Sequence, residues 1–361
     1  MPAVRNCIRT WARHLCAGFM LIASACATSD INQSNRESAA IGRSLRAVAL
    51  SAEQRGDYAT ALVYYRRLHR NDPDDVDSTL GYVRSLRASG SPNRAVEILE
   101  NELSDGPENG AVLAELGRSQ LAIGNVDGAI QTLNDAITAG SGQWQTFLAL
   151  GVSYDRHGNH TAAQQSYEAA LLLSKSNLSV LNNLALSHAL QGSISKGIEI
   201  LERAASMPGA TIRIRQNLAL LHGVNGDAES AEKVASVDLD KKSLQENLVY
   251  YIALRTGDPN LDGSLKPSHG TEQAAAIPAG TLRVEVGGAP TVENAIDQWE
   301  SIQTRHQSLL SELSVEIVKH RLADGASQFL TWAGPIADNS QARSICAQLT
   351  ANNIRCSIVS P

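Results

Sequence analysis

Small and apolar residues return along residues 42–240 with a period of 34. Glycines stand at 56, 90, 124, 158, 192 and 226. Five positions after each comes a small residue: Ala61, Ala95, Ala129, Ala163, Gly197 and Ala231. Four positions further on come Tyr65, Leu99, Leu133, Tyr167, Leu201 and Ala235. Glycine supplies 27 of 361 residues. Five successive matches at one period then have a chance of about 10⁻⁶ per starting point, so the period marks a structural unit. Each unit reads as two amphipathic helices around a tight turn. Glycine tolerates the conformation that ends the first helix, and the small column lets the two helices approach closely. Residues 240–255 read as one more helix, which caps the last apolar face.

The pattern carried by GDYATALVYY at 56–65 and LGVSYDRHGNHTAA at 150–163 resembles the tetratricopeptide repeat, over about residues 42–240. The resemblance implies an all-α solenoid whose first helices line a groove for protein segments. Carried into this sequence, the groove phase falls on Arg46, Leu80, Arg84, Arg118, Leu148, Val152, Asn182, Leu186, Gln216 and Leu220. Apolar and amide side chains of this kind can seat an extended segment and satisfy its backbone. The lysine and asparagine set that clamps a chain-terminal carboxylate in some family members is incomplete here.

After residue 255 the period is lost. Residues 256–280 hold Pro259, Pro267, Pro278 and an alanine run, and read as a linker. Beyond it, alternation at 282–286 predicts a strand, and residues 291–313 predict a helix with Val292, Ile296, Trp299 and Ile302 on one face. Strands are expected at 315–319 and 329–333, a helix at 339–352 and a last strand at 354–358. The order is βαββαβ, an α+β domain with helices on one face of a sheet. With Gly287-Gly288 near the start, Gly334-Pro335 in the middle and Cys346 and Cys356 at the end, this order resembles the SPOR domain over residues 281–361. The resemblance implies binding of peptidoglycan glycan strands on the open face of the sheet. Alternation places Val284, Val286, Thr331 and Ala333 toward the helices, leaving Arg283, Glu285, Leu330 and Trp332 as the glycan-binding face. Glu285 stands where the family commonly has glutamine, and Ile336 where it commonly has an aromatic residue. Cys346 on the last helix and Cys356 on an inward position of the last strand are close enough in this arrangement to form a disulfide; two free thiols are the alternative.

The first residues carry a different signal. Arg5, Arg9 and Arg13 precede an apolar run at 15–25 that is too short to span a bilayer, as in a signal peptide covering 1–25. Ala23-Ser24-Ala25-Cys26 resembles a lipobox, in which Cys26 would carry the lipid, and it equally fits plain signal cleavage. Residues 26–41 read as a tether, 42–255 as six repeats with a capping helix, and 281–361 as the SPOR-like domain. With 31 basic and 37 acidic residues the net charge is −6, which argues against nucleic acid as a partner. His157 and His160 lie close together, but nothing beside them in sequence completes a metal site. No nucleophile, phosphate-loop or dinucleotide motif is present, so the expectation is a non-enzyme with no metal and no cofactor.

The whole arrangement is similar to the repeat lipoproteins of tight-adherence (Flp) pilus assembly in Gram-negative bacteria. It implies an exported scaffold at the periplasmic face of the outer membrane, touching the membrane through its lipid alone; a soluble periplasmic protein is the alternative. Protein partners would occupy the repeats and glycan the last domain. A cell-wall or division scaffold, or a non-catalytic activator of a wall hydrolase, is the alternative function.

Overall fold

A computed structural model describes residues 39–105, 109–256, 282–322 and 326–359. The expected signal peptide, Cys26, residues 27–38 of the tether and residues 257–280 of the linker lie outside them.

Residues 39–54 form α1, so its first turn takes in residues that the sequence assigned to the tether. There follow α2 (Tyr58–Asn71), α3 (Val76–Ala88), α4 (Pro92–Asp105), α5 (Gly110–Ile123), α6 (Val126–Thr138) and α7 (Trp144–Arg156). The series continues with α8 (His160–Leu173), α9 (Leu178–Leu190), α10 (Ile194–Ala205), α11 (Ile212–Asn225), α12 (Ala228–Ala235) and α13 (Lys241–Thr256). Odd-numbered helices open each repeat, even-numbered ones close it, and α13 follows the sixth.

The turn chemistry is local. All six periodic glycines have positive φ, between 75° and 96°. The next residue caps the following helix: the side chains of Asp57, Asn125, Asn159 and Asp227 each accept a backbone N–H three positions on. A glycine that turns the chain and an Asx residue that starts the next helix are thus adjacent in sequence. Asp240 does the same for α13, accepting from the N–H groups of Lys242 and Ser243.

The small column is where paired helices meet. Ala61, Ala95, Ala129, Ala163 and Ala231 are fully buried. In the fifth repeat the helices are closer still. A Cβ placed on Gly197 would lie 2.7 Å from the Ala185 carbonyl oxygen and 2.8 Å from Leu221 Cδ1. Alanine, accepted in the other five repeats, therefore overpacks this one. Gly197→Ala should lose about 2 kcal/mol to crowding and regain about 1 kcal/mol in helix propensity, a net loss of about 1 kcal/mol in urea unfolding. A gain in stability would mean that α9 and α10 separate freely.

The C-terminal region contains β1 (Leu282–Ala289), α14 (Val292–Arg305), a short α15 (Gln307–Leu310), β2 (Ser314–Arg321), β3 (Ser327–Ile336), α16 (Asn339–Ala351) and β4 (Ser357–Val359). The four strands form one sheet in the order β2-β3-β1-β4. Val292, Ile296, Trp299 and Ile302 are buried along α14, as their spacing predicts. The expected single helix to residue 313 is instead broken at His306, whose backbone (φ −122°, ψ 39°) is not helical. β3 runs past Gly334 to Ile336 through a cis Gly334-Pro335 bond. β4 begins at Ser357, so Cys356 precedes the strand rather than pointing inward from it.

Candidate functional site

The first helices carry the predicted groove residues in one phase. Arg84, Arg118, Leu148, Val152, Leu186, Gln216 and Leu220 are half-buried on α3, α5, α7, α9 and α11, while Leu80 and Asn182 are buried. Arg46 on α1 is half-buried and forms an ion pair with Asp75. Leu148, Val152 and Leu186 rest against the core of repeats four to six, each exposing an apolar edge. The Asn217 amide donates to Asn182 Oδ1 at 2.7 Å, joining neighbouring repeats. Asn182 is thus a bonded amide rather than a free one.

Arg118 is held by a carboxylate that it shares with a second arginine. Its Nη2 and Nε donate to the Glu115 carboxylate at 2.9 and 3.3 Å, and Arg87 Nη2 donates to the same group at 3.3 Å. The Glu115 side chain is only 4% exposed. The sequence reading missed Arg87 and Glu115. An acid three residues before Arg118 was the available signal.

A second polar cluster joins repeats four and five. Asp155 accepts from Tyr167 Oη at 2.8 Å and from Ser187 Oγ at 2.7 Å, and its Oδ1 lies 2.8 Å from His160 Nδ1. Serine, histidine and aspartate meet here, but Ser187 donates to the carboxylate and is fully buried. No substrate reaches that hydroxyl, so the group is a structural tie. Burial, followed by the charge and hydrogen bond of Asp155, pushes the Tyr167 phenol far above its ordinary value. It therefore remains a donor. His157, the other histidine of that turn, pairs with Asp127 at 3.0 Å. Among the described residues no group of three or more His, Cys, Asp or Glu side chains is placed to hold a metal ion.

On the sheet, Val284, Val286, Thr331 and Ala333 are buried, and Arg283, Glu285, Leu330 and Trp332 are half-buried. A Cβ on Gly334 would meet Arg283, and one on Gly288 would meet Gln328 and Leu330, so β1 and β3 run antiparallel. Glu285 is then opposite Trp332, and the indole Nε1 donates to Glu285 Oε2 at 3.4 Å. The Glu285 carboxylate in β1 is thus engaged by the aromatic side chain beside it. Cys346 and Cys356 are joined by a disulfide, with their Cα atoms 5.1 Å apart.

Family models described as tetratricopeptide repeat match residues 44–75, 86–150 and 148–211. Among solved structures, MamA is 23% identical, covering 43% of this chain and 90% of its own length at a TM-score of 0.38. A thermophilic tetratricopeptide repeat protein of Thermus thermophilus is 20% identical, covering 49% and 99% at a TM-score of 0.41. A tetratricopeptide repeat protein from Parabacteroides merdae is 15% identical, covering 60% and 87% at 0.46. No curated protein matches the chain. Residues 44–75 and 86–211 are tetratricopeptide repeats, part of a helical solenoid followed by a small four-stranded sheet region.

Proposed function

We propose that the chain is an exported, non-catalytic scaffold whose repeats hold protein partners and whose sheet region holds peptidoglycan glycan. The observation that carries this reading is the presence of two unlike recognition faces on one chain. One is the repeated first-helix column, of the kind that binds protein segments. The other is the sheet face, where Trp332 stands beside Glu285 and Leu330. An indole offers a sugar ring a flat apolar surface, and a carboxylate accepts hydrogen bonds from hydroxyls. Glu285 in place of an amide is therefore compatible with a glycan. The sequence resemblances add the rest: lipid on Cys26 as the membrane anchor at the outer membrane, and subunits of a tight-adherence pilus or secretion assembly as the protein partners.

Co-sedimentation of the protein lacking residues 1–25 with purified sacculi tests the sheet face. Sacculi stripped of stem peptides by an amidase should pellet the protein, and Trp332→Ala should weaken this about tenfold, or about 1.4 kcal/mol. Equal pelleting of wild type and variant, or no pelleting with either kind of sacculus, would remove the glycan role.

A further inference from the structure

One column of the first helices changes character along the repeats. It reads Arg84, Arg118, Val152, Leu186 and Leu220, each 34 residues after the last. The basic end is held in place from within. Glu115 lies between Arg87 and Arg118 and is nearly inaccessible, whereas those two side chains keep 28% and 19% exposure. One carboxylate offsets one of the two guanidinium charges. Each guanidinium has five N–H donors, and Glu115 takes one bond from Arg87 and two from Arg118. Arg87 Nε and Arg118 Nη1 are buried and have no hydrogen-bond partner, so the donors left for a ligand are N–H groups on the other guanidinium nitrogens. An uncompensated positive charge and surplus donors remain on two planar forks whose orientation Glu115 already fixes. Such forks suit a carboxylate better than a lysine would. Farther along, Val152 and Leu186 present apolar edges.

The geometry points to a specific partner chemistry: an extended protein segment with an internal acidic side chain and apolar side chains a few residues away. The acid lodges at Arg87 and Arg118, and the apolar side chains lie on Val152 and Leu186. Neighbouring helices are about 10 Å apart and an extended chain advances about 3.3 Å per residue. The apolar side chains therefore sit about three and six residues from the acid. This inference rests on the proposal that the repeats bind protein segments.

An array of labelled twelve-residue peptides tests it, with a glutamate pair and a leucine pair at every separation and in both orders, against the protein lacking residues 1–25. Charge-reversed peptides with lysine for glutamate serve as controls. Capture should concentrate on acidic–apolar peptides with separations of three to six, fall at least tenfold for the lysine versions, and weaken as salt rises. Arg118→Gln should reduce it at least tenfold. Because that change leaves Glu115 buried without its main partner, the triple variant Arg87→Gln, Glu115→Gln, Arg118→Gln, which removes all three charges together and leaves no buried unpaired carboxylate, should lose as much. Capture that ignores peptide charge and survives both variants would overturn the acidic anchor while leaving the groove reading intact. Capture of no peptide at all would overturn both.

Discussion

Asp155→Ala is expected to destabilise the central repeats by about 3 kcal/mol, the largest single-residue effect foreseen in the solenoid. Three side chains from two further helices converge on that carboxylate. A hydrogen bond to a charged group contributes about 1.5–3 kcal/mol, and a buried donor left without a partner costs about 1–3 kcal/mol. Tyr167 and Ser187 are both buried, and removing Asp155 takes away the carboxylate to which each donates. The contributions are coupled, so the sum is well below three full bonds. Tyr167→Phe should cost about 1 kcal/mol, because Asp155 keeps its other partners. Urea unfolding of both single variants and the double variant separates the terms: the double should lose less than the two singles combined. A loss below 1 kcal/mol for Asp155→Ala would show that water replaces the carboxylate and that the cluster adds little.

The same pairing recurs once. Tyr65 Oη donates to Glu53 at 2.8 Å in the first repeat, with the acid again twelve residues before the tyrosine. Where the aromatic is replaced by Leu99, Leu133 or Leu201, the residue twelve before is Arg87, Leu121 or Ala189. A leucine has no hydroxyl to satisfy, so the position is released. In the second repeat the released position holds Arg87, which turns to Glu115 instead. Structural ties and the basic end of the groove are thus two uses of one repeat position.

This coupling explains what was legible in the sequence. The periodic glycines gave the turns, because a positive φ is a local demand that almost only glycine meets. The small columns gave the helix pairs, because steric closeness recurs identically in every repeat. Alternation placed Val284, Val286, Thr331 and Ala333 inside the sheet region, since a strand buries every second residue. Glu115 was legible only through its spacing of three from Arg118, and its tie to Arg87 was not. Glu115 is the single acid in a column that otherwise holds Ala47, Gly81, Ala149, Asn183 and Asn217, and its partner Arg87 comes from the preceding repeat. Reading each phase column separately misses a contact that crosses columns. The break at His306 was hidden because the apolar spacing continues through Leu309 and Leu310. The late start of β4 follows from the turn before it. Asn353 has φ 59°, the Ile354 N–H donates to Leu349 O and the Asn353 N–H to Thr350 O. That is a left-handed helix terminus, and Ile354 and Leu349 are both buried. It uses the residues that alternation had assigned to the strand.

That turn sets the terms for the Cys346–Cys356 bond, whose removal is expected to loosen the C-terminal region while leaving the repeats unchanged. The bond links residues ten apart. A cross-link closing a loop of that length restricts the unfolded chain by an amount worth about 3 kcal/mol. The helix terminus at Asn353 already reverses the chain between the two cysteines. Any persistence of that turn in the unfolded ensemble reduces the loss, so about 2–3 kcal/mol is expected. β4 contains three residues, Ser357–Val359, and has little pairing of its own to hold it against β1. Hydrogen exchange read by mass spectrometry on oxidised protein and on Cys346→Ser, Cys356→Ser should therefore show faster exchange over α16 and β4. Helices α5 to α11 should exchange alike in both. Unchanged protection over α16 and β4 would mean that the helix terminus and the packing of Ile345 and Leu349, both buried, hold the end of the chain without the covalent link.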